Sequence, residues 1–230
     1  MRVLVIGASG RNGSLIVEEA LSRGHSVTAL VRSATSLTPR DNLTIVTGSP
    51  LSEADITAAL SLTPSDPPTA VLVALSQRRV SDSPFAAPDP STPPRLITDS
   101  LKAAIAAMRA HSPPVRRLIV NAAQGTGSSF ASLNFAFRPL FRHSNMRFTI
   151  EDHDAADEVV RAAAAAGHVD LVQFRPAMLA DGEAKPVKSY GDEGKHIGFM
   201  PSITRRSVAR VMVEAAEGDE WVGQSPVIAN

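Results

Sequence analysis

The segment Val3-Leu4-Val5-Ile6-Gly7-Ala8-Ser9-Gly10-Arg11-Asn12-Gly13 decides the fold. Its first four residues are apolar without alternation, as in a strand that a parallel sheet buries on both faces. A helical pattern follows from Ser14 to Arg23, and a second strand is predicted over Ser26–Val31. Strand, glycine turn, helix and strand within about thirty residues are typical of a dinucleotide-binding unit.

The spacing of the three glycines has a physical reason at each position. Gly7 lets the chain leave the strand sharply, Gly10 removes a side chain where a diphosphate approaches the backbone, and Gly13 lets the helix pack close to the sheet. The spacing G-x-x-G-x-x-G lacks the lysine of a nucleotide-triphosphate loop. Because free amides at a helix start favour an anion, the whole turn is predicted to bind the cofactor diphosphate through Gly7, Ser9, Gly10, Arg11, Asn12 and Gly13.

The end of the second strand predicts which dinucleotide binds. An acidic residue there would hold the ribose hydroxyl of NAD, whereas an arginine suits the additional phosphate of NADP. The chain has Arg32 and Ser33 at this place and no acidic residue before Asp41. The prediction is therefore NADP(H), with NAD(H) as the alternative.

Strand and helix patterns alternate through the rest of the chain. Further strands are predicted over 43–46, 70–75, 117–121 and 169–174, with 226–228 as a last edge strand; helices are predicted over 53–60, 98–111, 150–166 and 205–217. This order predicts an α/β fold: one Rossmann-like domain over residues 1–230, with a doubly wound, mostly parallel sheet and helices on both faces. Ligands of such sheets bind beyond the carboxyl ends of the strands. The cofactor set therefore also includes Ser49, Leu75, Ser76 and Pro176.

Composition excludes several classes of function. Lys and Arg together number 23, as do Asp and Glu, so the formal net charge is zero and neither nucleic acid nor a membrane surface is an expected partner. The chain has no cysteine, and no His–carboxylate pair has the spacing of a metal site. No apolar run is long enough to span a membrane, so we expect a cytoplasmic protein, monomeric or homodimeric.

One segment stands out by its aromatic content. Five of the eight phenylalanines lie between Phe130 and Phe148, where Arg138, Arg142, His143 and Arg147 are interleaved with them. One interpretation is a small satellite core with a solvated rim. The other is a substrate lid at about 126–150 that covers a flat, apolar small molecule.

Three groups of residues together resemble a known family. They are the glycine turn, Val31-Arg32-Ser33, and the run from Phe174 to Gly182 that begins Phe-Arg-Pro. Glu151-Asp152-His153 and the run Pro201–Ala209 are similar as well. The chain is similar to the atypical short-chain dehydrogenase/reductases, and within them to the NmrA-like group and its small flavin/biliverdin reductase type. This resemblance implies NAD(P) binding and a reductase-like site over the nicotinamide.

The residues that usually carry the chemistry of these enzymes are missing. The only tyrosine, Tyr190, is followed by Lys195 at the wrong spacing and lies after the sixth strand, and Ser49 replaces an aspartate that is frequent after the third strand. Reduction of a simple ketone needs a positioned proton donor, whereas a quinone, flavin or enone accepts hydride into a delocalised system. The leading hypothesis is therefore an NADPH-dependent reductase of such a conjugated acceptor.

The residues proposed to act on the substrate are His153, Gln124 and Asn121. His153 opens a helix and has a side chain suited to proton transfer, although a capping or surface histidine is the alternative. Gln124 and Asn121 follow the fifth strand and are able to bind a carbonyl group. Two further hypotheses remain: a non-catalytic NADP(H)-binding redox sensor, and an isomerase or cyclase without net redox chemistry.

Overall fold

The computed structural model describes residues 1–81, 83–135 and 138–230, without the side chains of 140–142. The α-helices are α1 (Arg11–Ser22), α2 (Glu53–Ser61), α3 (Leu96–Ala110), α4 (Arg138–His143), α5 (Met146–Ala165) and α6 (Arg205–Glu217). The strands are β1 (Arg2–Ile6), β2 (Ser26–Val31), β3 (Leu43–Thr47), β4 (Ala70–Val73), β5 (Arg117–Asn121), β6 (Asp170–Pro176), β7 (Met178–Ala180), β8 (Lys188–Ser189), β9 (Ser202–Thr204) and β10 (Val227–Ala229). Two short 3-10 turns cover Ala34–Ser36 and Gly127–Ser132.

The main sheet has eight strands in the order β3-β2-β1-β4-β5-β6-β10-β8. All neighbouring pairs are parallel except β10 and β8, and β7 pairs with β9 in a separate two-stranded sheet. The chain proceeds outward from β1 to β3 and then returns to place β4 on the other side of β1. The order of the strands therefore reverses between β1 and β4, which is where such sheets bind ligands.

Both faces of the sheet are covered. Val3 and Val5 of β1 pack on one face with α1 and α6, while Leu4 and Ile6 pack on the other with α2, α3 and α5. All four side chains are fully buried, which explains why β1 is apolar without alternation. The predicted doubly wound α/β fold is confirmed.

The structure corrects several predicted boundaries. The helix after the glycine turn begins at Arg11 rather than Ser14, and the long helix predicted from Ile150 begins at Met146. The C-terminal strand is not an edge strand, because β8 pairs with it on the side away from β6. None of the helices in the described ranges has both the length and the apolar character needed to cross a membrane.

Candidate functional site

The glycine turn joins β1 to α1 through backbone that side chains would disturb. Gly7 has a φ of 85°, and a Cβ atom on it would lie 2.7 Å from the carbonyl oxygen of Ala74. A Cβ atom on Gly13 would lie only 2.0 Å from the carbonyl oxygen of Gly7. Both glycines are therefore required by the fold itself, independently of any ligand.

Gly10 differs from the other two glycines of the turn. Its φ of −77° and ψ of 166° suit any residue, and a Cβ atom there would lie 3.2 Å from its nearest neighbour, the oxygen of Gly7. Gly10 is the N-cap of α1, and no side chain caps this helix start or adds an acidic group to its first turn. The uncapped, positive end of the helix therefore borders the cleft, as an anion-binding turn requires.

A cleft of about 700 Å³ opens in front of this turn. It runs along the carboxyl ends of β1 to β5, at the point where strand order reverses. Eleven of the residues predicted from the sequence line it together: Gly7, Ser9, Gly10, Arg11, Asn12, Arg32, Ser49, Leu75, Ser76, Asn121 and His153.

Four predicted residues lie elsewhere. Gly13 is buried under the turn, and the Ser33 hydroxyl bonds to that of Thr35 at 2.9 Å. The carbonyl of Pro176 accepts the backbone amide of Gln124 at 3.0 Å. The side-chain amide of Gln124 donates a hydrogen bond to the hydroxyl of Ser132 at 3.0 Å. These contacts hold loops in place. None of the four residues is among the described residues that line the cleft.

His153 and Asn121 are buried at the wall of the cleft. Their exposed fractions are 4% and 8%, and the Oδ1 atom of Asn121 has no hydrogen-bond partner among the described residues. Burial lowers the pKa of His153 to about 4, and the nearby charge of Asp152 only partly opposes this. At neutral pH the imidazole is uncharged, so it offers a hydrogen bond but carries no proton ready for transfer.

Asp152, next to His153, fixes this wall to the rest of the protein. Its buried carboxylate accepts hydrogen bonds from the backbone amides of Ile97 at 2.9 Å and Thr98 at 3.0 Å. Asp152 therefore caps the start of α3, where the N-cap residue of the helix itself makes no capping hydrogen bond. It also accepts the side-chain amide of Gln77 at 2.8 Å. The Gln77 amide in turn donates to the carbonyls of Pro93 and Pro94.

The loop after β4 covers one side of the cleft. We call residues 76–81 and 83–95 the cover loop. Its two arms pair at Arg79 and Pro88, and the amide of Asp89 donates to the carbonyl of Arg78 at 2.9 Å. The lining residues that it supplies are Ser76, Gln77, Arg78, Arg79, Ser81, Ser91, Thr92 and Pro93.

The aromatic segment makes mostly local contacts. Of the described residues between 126 and 150, only Thr149 lines the cleft. The guanidinium of Arg138 donates to the carbonyls of Leu133 and Ala131, and that of Arg147 lies 4.7 Å from the ring centre of Phe148. Phe137 and the side chains of Phe141 and Arg142 lie outside the described residues. The lid at 126–150 stays a prediction.

Sequence reasoning missed several residues of the cleft. Arg78 and Arg79 lie in the cover loop, of which only Ser76 was predicted, while Leu179 comes from β7 and Arg205 from the start of α6. Asp55 of α2 accepts the amide of Ser49 at 2.8 Å, so a carboxylate does reach the end of β3, but from the following helix. The basic pair Arg78-Arg79, a few residues after the buried strand β4, is the signal that was available.

The fold and the cleft are those of a protein that binds a dinucleotide. In agreement, a model of the NAD(P)H-binding family matches residues 7–219, which is more than half of the chain. The chain belongs to this family. A nicotinamide dinucleotide is therefore its cofactor, and the uncapped start of α1 and the arginines along the cleft fit one.

Solved structures agree over the whole chain. ChuY, an anaerobillin reductase from Escherichia coli O157:H7, is 17% identical with a TM-score of 0.74, and the match covers 100% of this chain and 97% of ChuY. The oxidoreductase ylbE from Lactococcus lactis is 17% identical with a TM-score of 0.72, over 100% and 91% of the two chains. At these identities the likeness establishes the fold.

Sequence relatives match only short stretches. The uncharacterized protein YwnB of Bacillus subtilis is 49% identical over 41 residues, which are 18% of this chain and 19% of YwnB. A 4-hydroxy-tetrahydrodipicolinate reductase of Natronomonas pharaonis is 57% identical over 37 residues, or 16% of this chain and 15% of the relative. The chain thus spans less than a fifth of the length of these curated relatives.

Proposed function

We propose that the protein is an NADPH-dependent reductase that transfers hydride to a conjugated acceptor such as a quinone, a flavin or an enone. The observation that carries the proposal is the set of groups along the cleft. Among the described lining residues there is no Tyr, Lys, Asp or Glu, and the one histidine is neutral because burial lowers its pKa to about 4. The remaining polar groups are hydroxyls, amides and guanidiniums, which hold their protons at neutral pH.

This set of groups favours one kind of substrate. A ketone reduced to an alkoxide needs a proton from a positioned acid, and loss of such an acid typically costs about 10²–10⁴-fold in rate. A delocalised acceptor forms a weakly basic anion that water is able to protonate. The nicotinamide supplies the hydride when the cofactor is bound, and the protein contributes position and electrostatic field.

The charge at the adenosine end supports NADPH over NADH. Arg32 lines the cleft at the end of β2, where an acidic residue would repel the additional phosphate. Arg32 and Arg78 both contribute to a lowered pKa of the Asp89 carboxyl, whose main cause is its hydrogen bonding with Ser91. Both arginines also line the cleft, so a doubly charged phosphate bound there would replace the carboxylate of Asp89 as their partner.

Asn121 and His153 have binding roles in this proposal. Both residues line the cleft, where the side-chain amide of Asn121 and the neutral imidazole of His153 are each able to form a hydrogen bond with a ligand. Neither acts as a proton donor. A His153→Gln variant should therefore retain kcat within ~10-fold, well short of the loss that removal of a general acid causes.

The test follows NADPH absorbance at 340 nm with menadione, FMN and a simple ketone. We expect NADPH to be consumed with menadione and with FMN, and little NADPH to be consumed with the simple ketone. Tight NADPH binding without turnover of any acceptor would favour the redox sensor, and conversion of a substrate without net cofactor consumption would favour an isomerase. Either result would overturn the reductase assignment.

A further inference from the structure

The cleft is strongly basic although the chain as a whole is neutral. Five arginines line it, namely Arg11, Arg32, Arg78, Arg79 and Arg205, and no Asp or Glu is among its described lining residues. The formal net charge of the chain is zero. Positive charge is thus gathered at the site, as expected where anions bind.

Four of these arginines have a partner or a place at the cofactor end. Arg205 pairs with Asp181 at 2.6 Å. Arg32 and Arg78 both act on the carboxyl of Asp89, and Arg11 belongs to the glycine turn. The diphosphate of NADPH would be the anion bound at the glycine turn, and its additional phosphate would be the anion bound by Arg32 and Arg78.

Arg79 is different. Its side chain makes no hydrogen bond and no ion pair with any described residue, and its Nε atom is completely buried. The residue as a whole is only half-buried and lines the cleft, so an anion there is able to reach a guanidinium that no described group already occupies. Arg79 follows Arg78 in the paired arm of the cover loop, and both residues line the cleft.

The backbone of Arg79 is held in place before any ligand arrives. Pairing with Pro88 fixes it on one side of the loop. Two residues earlier, the Gln77 amide is bound by Asp152 at 2.8 Å and by the carbonyls of Pro93 and Pro94. Asp152 belongs to the same helix as Thr149 and His153, which also line the cleft. Because the backbone at Arg79 is already ordered, only its side chain loses freedom on binding an anion.

We propose that Arg79 binds a carboxylate or comparable oxyanion of the substrate, so that the acceptor is an anionic conjugated compound rather than a neutral one. This inference rests on the proposed function and names the substrate class of the same site. The chemistry of recognition is a charge-assisted hydrogen bond from a planar guanidinium, which is often bidentate with a carboxylate.

A matched pair of probes tests the inference without turnover. The protein saturated with NADP⁺ is titrated calorimetrically with naphthalene-2-carboxylate and with its neutral amide. We expect the carboxylate to bind at least ~10-fold more tightly, the typical effect of one charge-assisted hydrogen bond. Arg79→Gln should remove this preference and Arg79→Lys should keep part of it. Arg109→Gln, which removes an exposed arginine of α3 outside the cleft, should change nothing.

Turnover provides the second measurement. The ratio of kcat/KM for 1,4-naphthoquinone-2-sulfonate to that for 1,4-naphthoquinone should fall ~10-fold in Arg79→Gln, mainly through KM. An unchanged ratio would overturn the inference, as would equal binding of the two naphthalene probes to the wild type. Weaker NADPH binding by Arg79→Gln with no change in probe preference would assign Arg79 to the cofactor instead. Absence of turnover while the carboxylate preference still depends on Arg79 would overturn the proposed function alone.

Discussion

The two ends of the cleft are built in different ways. At the end with the glycine turn, the turn and Arg32 come from one continuous stretch of chain, and the backbone conformation largely determines the shape of the site. At the other end, Asp152 caps a helix 54 residues earlier in sequence and binds Gln77 across 75 residues. Local sequence therefore determines the first end, whereas the second depends on which distant elements the fold brings together.

We expect the largest effects from substitutions at two glycines of the same turn, one of which should lower stability and the other NADPH binding. Gly13→Ala places a methyl group 2.0 Å from the Gly7 carbonyl oxygen, so the turn must move at a cost of about 3 kcal/mol or more. Gly10→Leu fits the backbone but fills the space that a diphosphate needs. Urea unfolding and calorimetric NADPH titration should show the first variant destabilised, and the second folded but unable to bind. Normal NADPH affinity in Gly10→Leu would refute the role given to the turn.

The pH dependence of stability tests the buried histidine at the other end. The pKa of His153 is about 4 in the folded protein and near 6.5 when unfolded. Between pH 4 and pH 6.5, His153 is therefore protonated in the unfolded chain but neutral in the folded protein. Stability from this group is complete above pH 6.5 and falls by about 3 kcal/mol as the pH drops to 4. Urea unfolding from pH 7 to 4 should show this additional loss in the wild type relative to His153→Gln. Parallel curves would mean that His153 is accessible to solvent protons.

Arg32 gives a sharper test of cofactor choice. Arg32→Asp should weaken NADPH by about 1.5–3 kcal/mol because a charge-assisted hydrogen bond to the additional phosphate is lost. Binding of NADH, which lacks that phosphate, should change much less. Arg40→Asp changes the same charge at an exposed residue outside the cleft and serves as the control. Equal weakening of both cofactors by Arg32→Asp would remove the basis for preferring NADPH.

The smallest effect concerns the helix cap that Asp152 supplies. Asp152→Asn replaces one acceptor oxygen with an NH₂ group that faces the amides of Ile97 and Thr98. We expect a loss of about 1–2 kcal/mol, as for other capping residues. Amide hydrogen exchange should become faster at Ile97, Thr98 and the cover loop, but not in the glycine turn. Faster exchange in both places would show that the two ends are not built independently.

The sequence alone predicted the fold, the family and most of the residues that line the glycine-turn end of the cleft. Unbroken apolar residues in β1, three spaced glycines and the absence of an acid after β2 each carry a local physical meaning, and the fold and family are confirmed. Gln124 was harder, because its binding to Ser132 depends on a 3-10 turn that has no clear sequence pattern. The edge position of β10 was predicted wrongly because β8 is only two residues long. Arg79 was missed because nothing in sequence shows that its guanidinium lacks a partner.

We expect the cofactor diphosphate to lie against the backbone at the start of α1, directly after β1. The most direct test is a titration of ¹⁵N-labelled protein with NADP⁺, followed through the backbone amide signals. We predict the largest saturable shifts at Ser9, Gly10, Arg11 and Asn12, with the same shifts absent in Gly10→Leu. Saturable binding that leaves these four amides unmoved would contradict the account.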